Sequence, residues 1–208
     1  FARRRAAGRF RERNIDMSII RPFEAIRPQP DKAARIAAPP YDVLDSEEAR
    51  VMASGNPLSF LRVSKPEIDL PPDTDIYSDV VYATGRTNLD SFIAQGHMLR
   101  EERPCLYLYR QIMKIHGVDH AQIGVVAGCS VREYDAGLIK KHELTRADKE
   151  ADRTRHVREL NANTGPVFLT YRARPEVDEI VARWSSSIPT YDFVAPDGIR
   201  HTVWIVDE

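Results

Sequence analysis

The sequence lacks a long apolar run and has too few cysteines for a disulfide framework. No stretch approaches the ~20 apolar residues that a membrane-spanning helix needs, so we expect no membrane partner. The 208 residues include only two cysteines, Cys105 and Cys129, which are far apart and lack C-x-x-C spacing. Two thiols in a chain of this length favour a reducing compartment, and a cytoplasmic protein is the expectation.

Several common site motifs are also missing. The chain contains no G-x-x-x-x-G-K-[ST] loop, no G-x-G-x-x-G, no G-x-S-x-G and no H-E-x-x-H. Any phosphoryl chemistry would therefore differ from that of the common P-loop and protein-kinase classes. His116 and His120 have H-x3-H spacing, but they flank a predicted hairpin turn, where surface histidines are commoner than zinc ligands. We predict no metal site from them.

The charge is nearly balanced overall but uneven along the chain. Lys and Arg number 30 and Asp and Glu 31, whereas residues 1–16 hold six arginines and two acids. We interpret residues 1–16 as a disordered Arg-rich extension or a wrongly assigned upstream start, with a nucleic-acid-binding arm as the alternative. The body that remains has a net charge of −5, which disfavours nucleic acid as its partner.

Residues 17–208 are predicted to form a single domain of mixed α and β structure. Two predicted hairpins favour the α+β class, with a largely antiparallel sheet and several flanking helices, over a doubly wound α/β fold. The chain stops directly after a predicted strand, so we expect it to be the N-terminal part of a longer protein. Predicted helices are Ser46 to Gly55, Ile76–Gln95 (with Val80, Val81, Leu89, Phe92 and Ile93 inward), a charged helix from near Arg146, and Pro175–Ser186. Predicted strands are Ser18–Ile26, Leu58–Val63, Pro104–Ile115, Ala121–Ser130, Pro166–Tyr171 and a hairpin around Pro196-Asp197-Gly198.

The segment 140–166, KKHELTRADKEADRTRHVRELNANTGP, is the densest cluster of ionisable groups. Thr145 is a predicted N-cap, and Asp148 would complete a T-x-x-D capping box. The apolar stripe of the helix is thin, which is typical of a solvent-exposed helix with i,i+4 ion pairs. The alternative is a phosphate site, because one helical face would carry several converging donors.

The same segment and one proline-rich turn supply the candidate site residues. Histidines exchange protons near neutral pH, and the NANTGP sequence offers polar donors beside a glycine, although it is equally typical of a helix stop. The turn APPYD could reach a ligand or could be a surface turn. Candidates for catalysis are His142, Glu143, Asp152 and His156. Candidates for substrate or phosphate binding are Arg146, Lys149, Arg153, Asn161, Asn163, Thr164, Tyr41 and Asp42.

Several blocks, in this order along the chain, carry a resemblance to a known family. They are IIRPFEAIRP, AAPPYDV, NPLSFLRVSKPEIDLP, KKHELTRADKEADRTRH and NANTGPVFLTYR. From Ser18 to Tyr171 the chain resembles the prokaryotic domain-of-unknown-function family numbered 1015. Members of that family are about twice as long, and their second half carries a D-G-H-H-R motif that this sequence lacks. That motif is similar to one in the ParB/sulfiredoxin-like superfamily, which includes kinases of free serine and DNA-partition proteins.

The resemblance implies a nucleotide-dependent kinase of a small hydroxyl substrate such as free serine, with ATP or ADP and Mg²⁺ as cofactors. In that hypothesis the cations of segment 140–166 hold nucleotide phosphates. His142, Glu143 or Asp152 supplies the base or holds the metal, and His156 orients a phosphate oxygen. Asp31 is a loose match to the carboxylate that serves as base in the serine kinases.

Two alternatives from other classes stay open. One is a non-catalytic structural or interaction module whose charged helix docks on a missing C-terminal half, since buried charges need partners. The other is ParB-like nucleic-acid binding, which predicts a basic stripe and strong salt dependence. The sequence leaves the substrate and the oligomeric state open.

Overall fold

Residues 18–142 and 144–207 are described by a computed structural model of the chain. The predicted extension at residues 1–16 and the candidate residue Glu143 lie outside this part. The helices are α1 (Ala33–Ile36), α2 (Ser46–Ala53), α3 (Leu61–Ser64), α4 (Asp79–Ala94), α5 (Val131–Asp135), α6 (Ala147–Leu160) and α7 (Pro175–Ser185), with short 3-10 helices at Pro30–Lys32, Tyr41–Val43 and Pro66–Asp69. The strands are β1 (Ile20–Arg21), β2 (Ile26–Pro28), β3 (Met98–Arg100), β4 (Leu106–Ile115), β5 (Val118–Val126), β6 (Gly128–Cys129), β7 (Tyr191–Val194) and β8 (Arg200–Val206).

These elements confirm the α+β class, because the strand pairs in the described part are antiparallel. The largest sheet has the strand order β5-β4-β8-β7 and is built from the two predicted hairpins. In the first hairpin Ile115 faces Val118 across a two-residue turn. Both turn residues, His116 and Gly117, have positive φ, which this kind of tight turn requires and which a glycine adopts without strain.

Helix α7 covers one face of this sheet. Val181 and Trp184 of the helix pack against a buried cluster that includes Leu108 and Trp204. The indole N–H of Trp204 donates a hydrogen bond to the carbonyl of Ser187, at 3.0 Å. The predicted helix at Pro175–Ser186 is thereby confirmed to within one residue.

The N-terminal half is mainly helical and has its own core. The predicted strand at Leu58–Val63 is wrong, because this run forms the turn before α3 and the helix itself. Leu61 and Val63 have no exposed surface, and a short apolar run that is fully buried has no period that separates helix from strand. The predicted strand at Ser18–Ile26 is split into β1 and β2, which pair with different strands.

The predicted strand at Pro166–Tyr171 is also wrong in the structure. The segment forms neither helix nor strand and belongs to none of the sheets. Its apolar side chains are exposed instead of buried. The physical reason is that no strand of the described part lies beside it to accept its backbone hydrogen bonds.

Helix α4 lies at the centre of the helical half. Its buried face includes Val81, Leu89 and Phe92, as the sequence predicts. Val80, which was also predicted to face inward, is 49% exposed. Tyr82 is buried in its place, and its hydroxyl donates a hydrogen bond to Asp152 of α6.

A glycine in the middle of α4 permits close packing against the segment that follows α3. A Cβ atom at Gly85 would lie 3.1 Å from Cγ of Pro66 and 3.2 Å from the carbonyl oxygen of Val63. Neither neighbour is the flexible end of a side chain. Gly85 therefore sets how closely α4 approaches this segment.

Gly85→Ala should destabilise the protein although alanine is the better helix former. Overpacking costs about 1–3 kcal/mol, which exceeds the roughly 1 kcal/mol of helix propensity gained. Urea unfolding of the variant measures the balance. Thr87→Ala on the exposed side of the same helix is the control and should leave the free energy of unfolding equal or higher. A Gly85→Ala protein as stable as the wild type would contradict the packing argument.

Candidate functional site

Helix α6 carries most of the candidate residues, and its first turn differs from the prediction. The N-cap is Arg146 and makes no side-chain capping bond, so the predicted box of Thr145 and Asp148 is wrong. The Asp148 carboxylate instead accepts two hydrogen bonds from the Arg146 guanidinium, at 3.1 and 2.8 Å. This pairing lowers the pKa of Asp148 below its ordinary value, against a desolvation contribution in the opposite direction. The Asp148 carboxylate, which the predicted capping box requires, is therefore bonded to Arg146 instead.

His156 lies on the buried side of α6. Its side chain is only 1% exposed, and its Nε2 lies 2.9 Å from the carbonyl oxygen of Val63. A carbonyl only accepts, so Nε2 carries the proton and Nδ1 is the unprotonated nitrogen. Nδ1 has no hydrogen-bond partner in the part of the chain described. Burial lowers the pKa of His156, which keeps this imidazole neutral at physiological pH.

Asp152 joins α6 to α4. Its Oδ1 accepts a hydrogen bond from the hydroxyl of Tyr82, at 2.7 Å. The pKa of Tyr82 is raised far above its ordinary value, mainly by burial and secondly by this hydrogen bond. Arg155 lies with its guanidinium carbon 4.1 Å from the centre of the Tyr82 ring and is paired with Asp79 at the start of α4.

Tyr41 and Arg153 bring three separate segments of sequence together. The guanidinium carbon of Arg153 lies 4.0 Å from the centre of the Tyr41 ring. The same guanidinium donates to Oδ2 of Asp152 at 3.0 and 2.7 Å. Beyond the helix, a Cβ atom at Gly165 would lie 3.9 Å from the Tyr41 ring. The APPYD turn, the charged helix and the NANTGP segment therefore meet at one place.

The predicted cationic face does not converge on one free point. Arg146 is paired with Asp148 and Arg153 with Asp152, while Lys149 donates to the Tyr77 hydroxyl at 3.4 Å. Among the described residues, none of the charged pairs of α6 has i,i+4 spacing. The helix is therefore not simply solvated, because its charges mostly pair within the helix or hold it to its neighbours.

The remaining candidates lie on the surface around this centre. His142, Asp42 and Asn163 are exposed, and Thr164 is half-buried. Asn161 ends α6 in the left-handed conformation, with φ of 48°, which is the helix-stop role that the sequence left open. Asp31 is exposed in the 3-10 helix at Pro30–Lys32.

Sequence reasoning missed the tyrosines that contact α6, namely Tyr82 in α4 and Tyr77 just before it. Tyr82 was not a candidate, although its hydroxyl donates to Asp152 and its ring contacts the Arg155 guanidinium. A signal was present in the helical spacing of Tyr82, Gly85, Leu89 and Phe92, which places the tyrosine on the buried stripe. The sequence contains no comparable signal that α6 is the helix against which Tyr82 packs.

The described residues were also compared with the requirements of a metal site and of a membrane-spanning helix. The described residues hold no group of three or more His, Cys, Asp or Glu side chains that could bind a metal ion. No helix in the same residues combines the length and apolar character needed to cross a membrane.

The protein has an α+β fold with a polar cluster centred on α6. Its sequence contains neither a P-loop nor a nucleotide-binding glycine loop. A family model described as "Protein of unknown function (DUF1015)" matches residues 20–208. The chain belongs to this family, as the blocks in the sequence indicate. No curated protein and no solved structure gives a significant match.

The buried neutral histidine makes stability depend on pH. The folded protein disfavours the imidazolium, so the unfolded chain binds the proton first as the pH falls below the ordinary value of about 6.5. The free energy of unfolding should therefore decrease between pH 6.5 and 5. His156→Gln keeps an N–H for Val63 and removes the titration, so its decrease should be shallower.

The measurement is urea unfolding of both proteins at several pH values. Burial also lowers the pKa of His201, and since both proteins contain His201 its contribution cancels in the comparison. Parallel pH dependences would show that His156 is not the group responsible.

Proposed function

We propose that the chain acts as an interaction module, in which the exposed segment 166–171 becomes a strand by pairing with another polypeptide. The partner is the downstream half that the family resemblance implies for longer members. The observation that supports the proposal is that this segment has the apolar sequence of a buried strand but is exposed to solvent.

The side chains of the segment are apolar and face solvent. Val167 is 80% exposed and Phe168 75% exposed, and Leu169 and Tyr171 are also exposed. Neighbouring exposed apolar groups of this size mark interaction surfaces more often than single exposed residues do. Covering them would add hydrophobic stabilisation of about 25 cal/mol per Å² of buried apolar surface.

The backbone of the segment is unpaired as well. Within residues 18–142 and 144–207, none of the backbone hydrogen bonds outside helices and strands involves residues 166–171. An extended backbone with free N–H and C=O groups is the element that strand addition uses, with the side chains providing specificity. Backbone groups outside any ladder and exposed apolar side chains are thus present together in one short segment.

The polar cluster of α6 supports the same function. Tyr82, Asp152 and His156 fix the helix against the body. Gly165, directly before the exposed segment, lies against Tyr41 at the end of this cluster. The cluster therefore provides a rigid base from which segment 166–171 extends.

Hydrogen exchange tests this proposal in the present chain and in a version extended through the downstream region. Amides 167–171 should exchange rapidly in the present chain and slowly in the extended one, because pairing protects them. Phe168→Ser should change the stability of the present chain by less than about 0.5 kcal/mol, yet reduce the protection in the extended protein. Val43→Ser, at another exposed apolar residue, should leave the protection unchanged. Rapid exchange in both versions would contradict the proposal.

A second candidate function is binding of a phosphate-bearing ligand, as in a nucleotide-dependent kinase of a small hydroxyl substrate such as free serine. The observation that favours it is the surface around the first turn of α6. Lys140, Lys141, His142, Arg146 and Lys149 are exposed there. Arg146 provides no side-chain cap for this first turn, and the anion that contacts the amides of Asp148 and Lys149 is the carboxylate of Asp148 itself. Helix N-termini favour anions, so a bound phosphate would take the place of this carboxylate. His142 is the exposed proton carrier in this group and would serve as the base.

The matching experiment is a thermal-shift series with ATP, ADP and pyrophosphate, with and without Mg²⁺, on the present and extended chains. A ligand at a hundred times its dissociation constant adds about 2.7 kcal/mol to the free energy of unfolding. Lys149→Ala should reduce the shift, whereas Lys114→Ala, an exposed lysine of the β4–β5 hairpin, should not. The absence of a shift with each nucleotide in both versions would eliminate this function.

A further inference from the structure

Strand β5 forms one edge of the large sheet and is left uncovered. It pairs with β4 on one side only. Residues 118–124 are exposed, so the outer half of the hairpin projects from the body. The opposite edge differs, because β7 has four residues and lies against α1.

The usual protections of an edge strand are missing from β5. Its nine residues, VDHAQIGVV, contain no proline, lysine or arginine. The register with β4 runs without interruption from Ile115–Val118 to Tyr107–Val126, so no bulge bends the edge away. Natural sheets use such devices to prevent pairing between edges. An edge strand of this length without these devices is open to pairing with another strand.

The register identifies the backbone groups that face outward. Ile115 and Val118 flank a two-residue turn and form the hydrogen-bonded pair that closes it. Bonded and non-bonded pairs alternate along an antiparallel ladder. The residues of β5 whose N–H and C=O groups point away from β4 are therefore Asp119, Ala121, Ile123 and Val125.

These outward residues carry almost no net charge. Asp119 is the only acid among them, and its Oδ1 accepts a hydrogen bond from Nζ of Lys114 at 2.7 Å. The other three are apolar or small. An approaching strand of the same sequence therefore meets no net repulsion from this edge.

We propose that β5 pairs with β5 of a second copy of this chain, antiparallel and centred on Gln122. In this register Asp119 faces Val125 of the other copy and Ala121 faces Ile123. Every outward N–H and C=O of the four residues then has a partner, and the two four-stranded sheets become one continuous sheet.

The two-fold symmetry of this register favours a second copy over an unrelated strand. A centre at Ala121 or Ile123 would pair only three of the four outward residues, whereas the centre at Gln122 pairs all of them. The two Gln122 side chains lie opposite each other at the axis, where each amide can donate to the other. No like charges face each other, because Asp119 lies opposite an apolar residue.

The proposal is tested by sedimentation equilibrium of the wild type and two double variants. Residue 121 of one copy faces residue 123 of the other, so Ala121→Lys with Ile123→Lys places like charges opposite each other twice. Ala121→Glu with Ile123→Lys places opposite charges at the same positions, and both variants keep a lysine at position 123, which lies opposite Arg110 of β4. The wild type should dimerise, and the Lys/Lys variant should dimerise about tenfold more weakly than the Glu/Lys variant.

Circular dichroism and thermal unfolding verify that both variants fold, and since they share both positions, the loss of Ala121 and Ile123 cancels. A monomeric wild type would overturn the proposal, as would a dimer unaffected by Lys/Lys or equal dissociation of the two variants. Phe168→Ser should leave this dimer intact, which separates the inference from the docking of segment 166–171.

Discussion

The contact between α4 and α6 is the constraint on which the helical half depends. It contains a hydrogen bond from the buried Tyr82 hydroxyl to Asp152, at 2.7 Å, and beside it His156 of α6 donates to the carbonyl of Val63 in α3, at 2.9 Å. An ionised carboxylate near a core is costly unless its oxygens are bonded. Tyr82 and Arg153 satisfy the two oxygens of Asp152, so a helix with few apolar residues can pack against the body.

The aromatic rings explain how the arginines of α6 are accommodated. Arg153 lies over Tyr41 and Arg155 over Tyr82, with guanidinium-to-ring distances of 4.0 and 4.1 Å. Each guanidinium thus has a ring on its face and a carboxylate at its edge, which suits its planar shape. The cations in the middle of the helix pack against aromatic rings, whereas those near its first turn are exposed.

The chain combines this paired cluster around Asp152 with two backbone surfaces that lack partners in the described residues, namely segment 166–171 and the outer edge of β5. Both have strand-forming sequences, and neither has a hydrogen-bonding neighbour within the described residues. Exposed strand-forming segments without hydrogen-bonding neighbours are the surfaces to which partner strands add. The functional proposals for this member of the family follow from that contrast.

The sequence by itself determined the features that local periodicity and turn chemistry encode. These include the α+β class, both hairpins, α7 and most of α4, because alternating apolar residues and residues with positive φ act over short distances. Tyr41, Asp152, Arg153 and His156 were among its wider set of candidate site residues, without a sign of which of them would lie together. Tertiary structure decided that Leu58–Val63 is helical and buried, that Pro166–Tyr171 is unpaired, and that Tyr82 is the partner of Asp152. Those outcomes depend on which distant element supplies the neighbouring surface, and a periodicity within one segment carries no information about it.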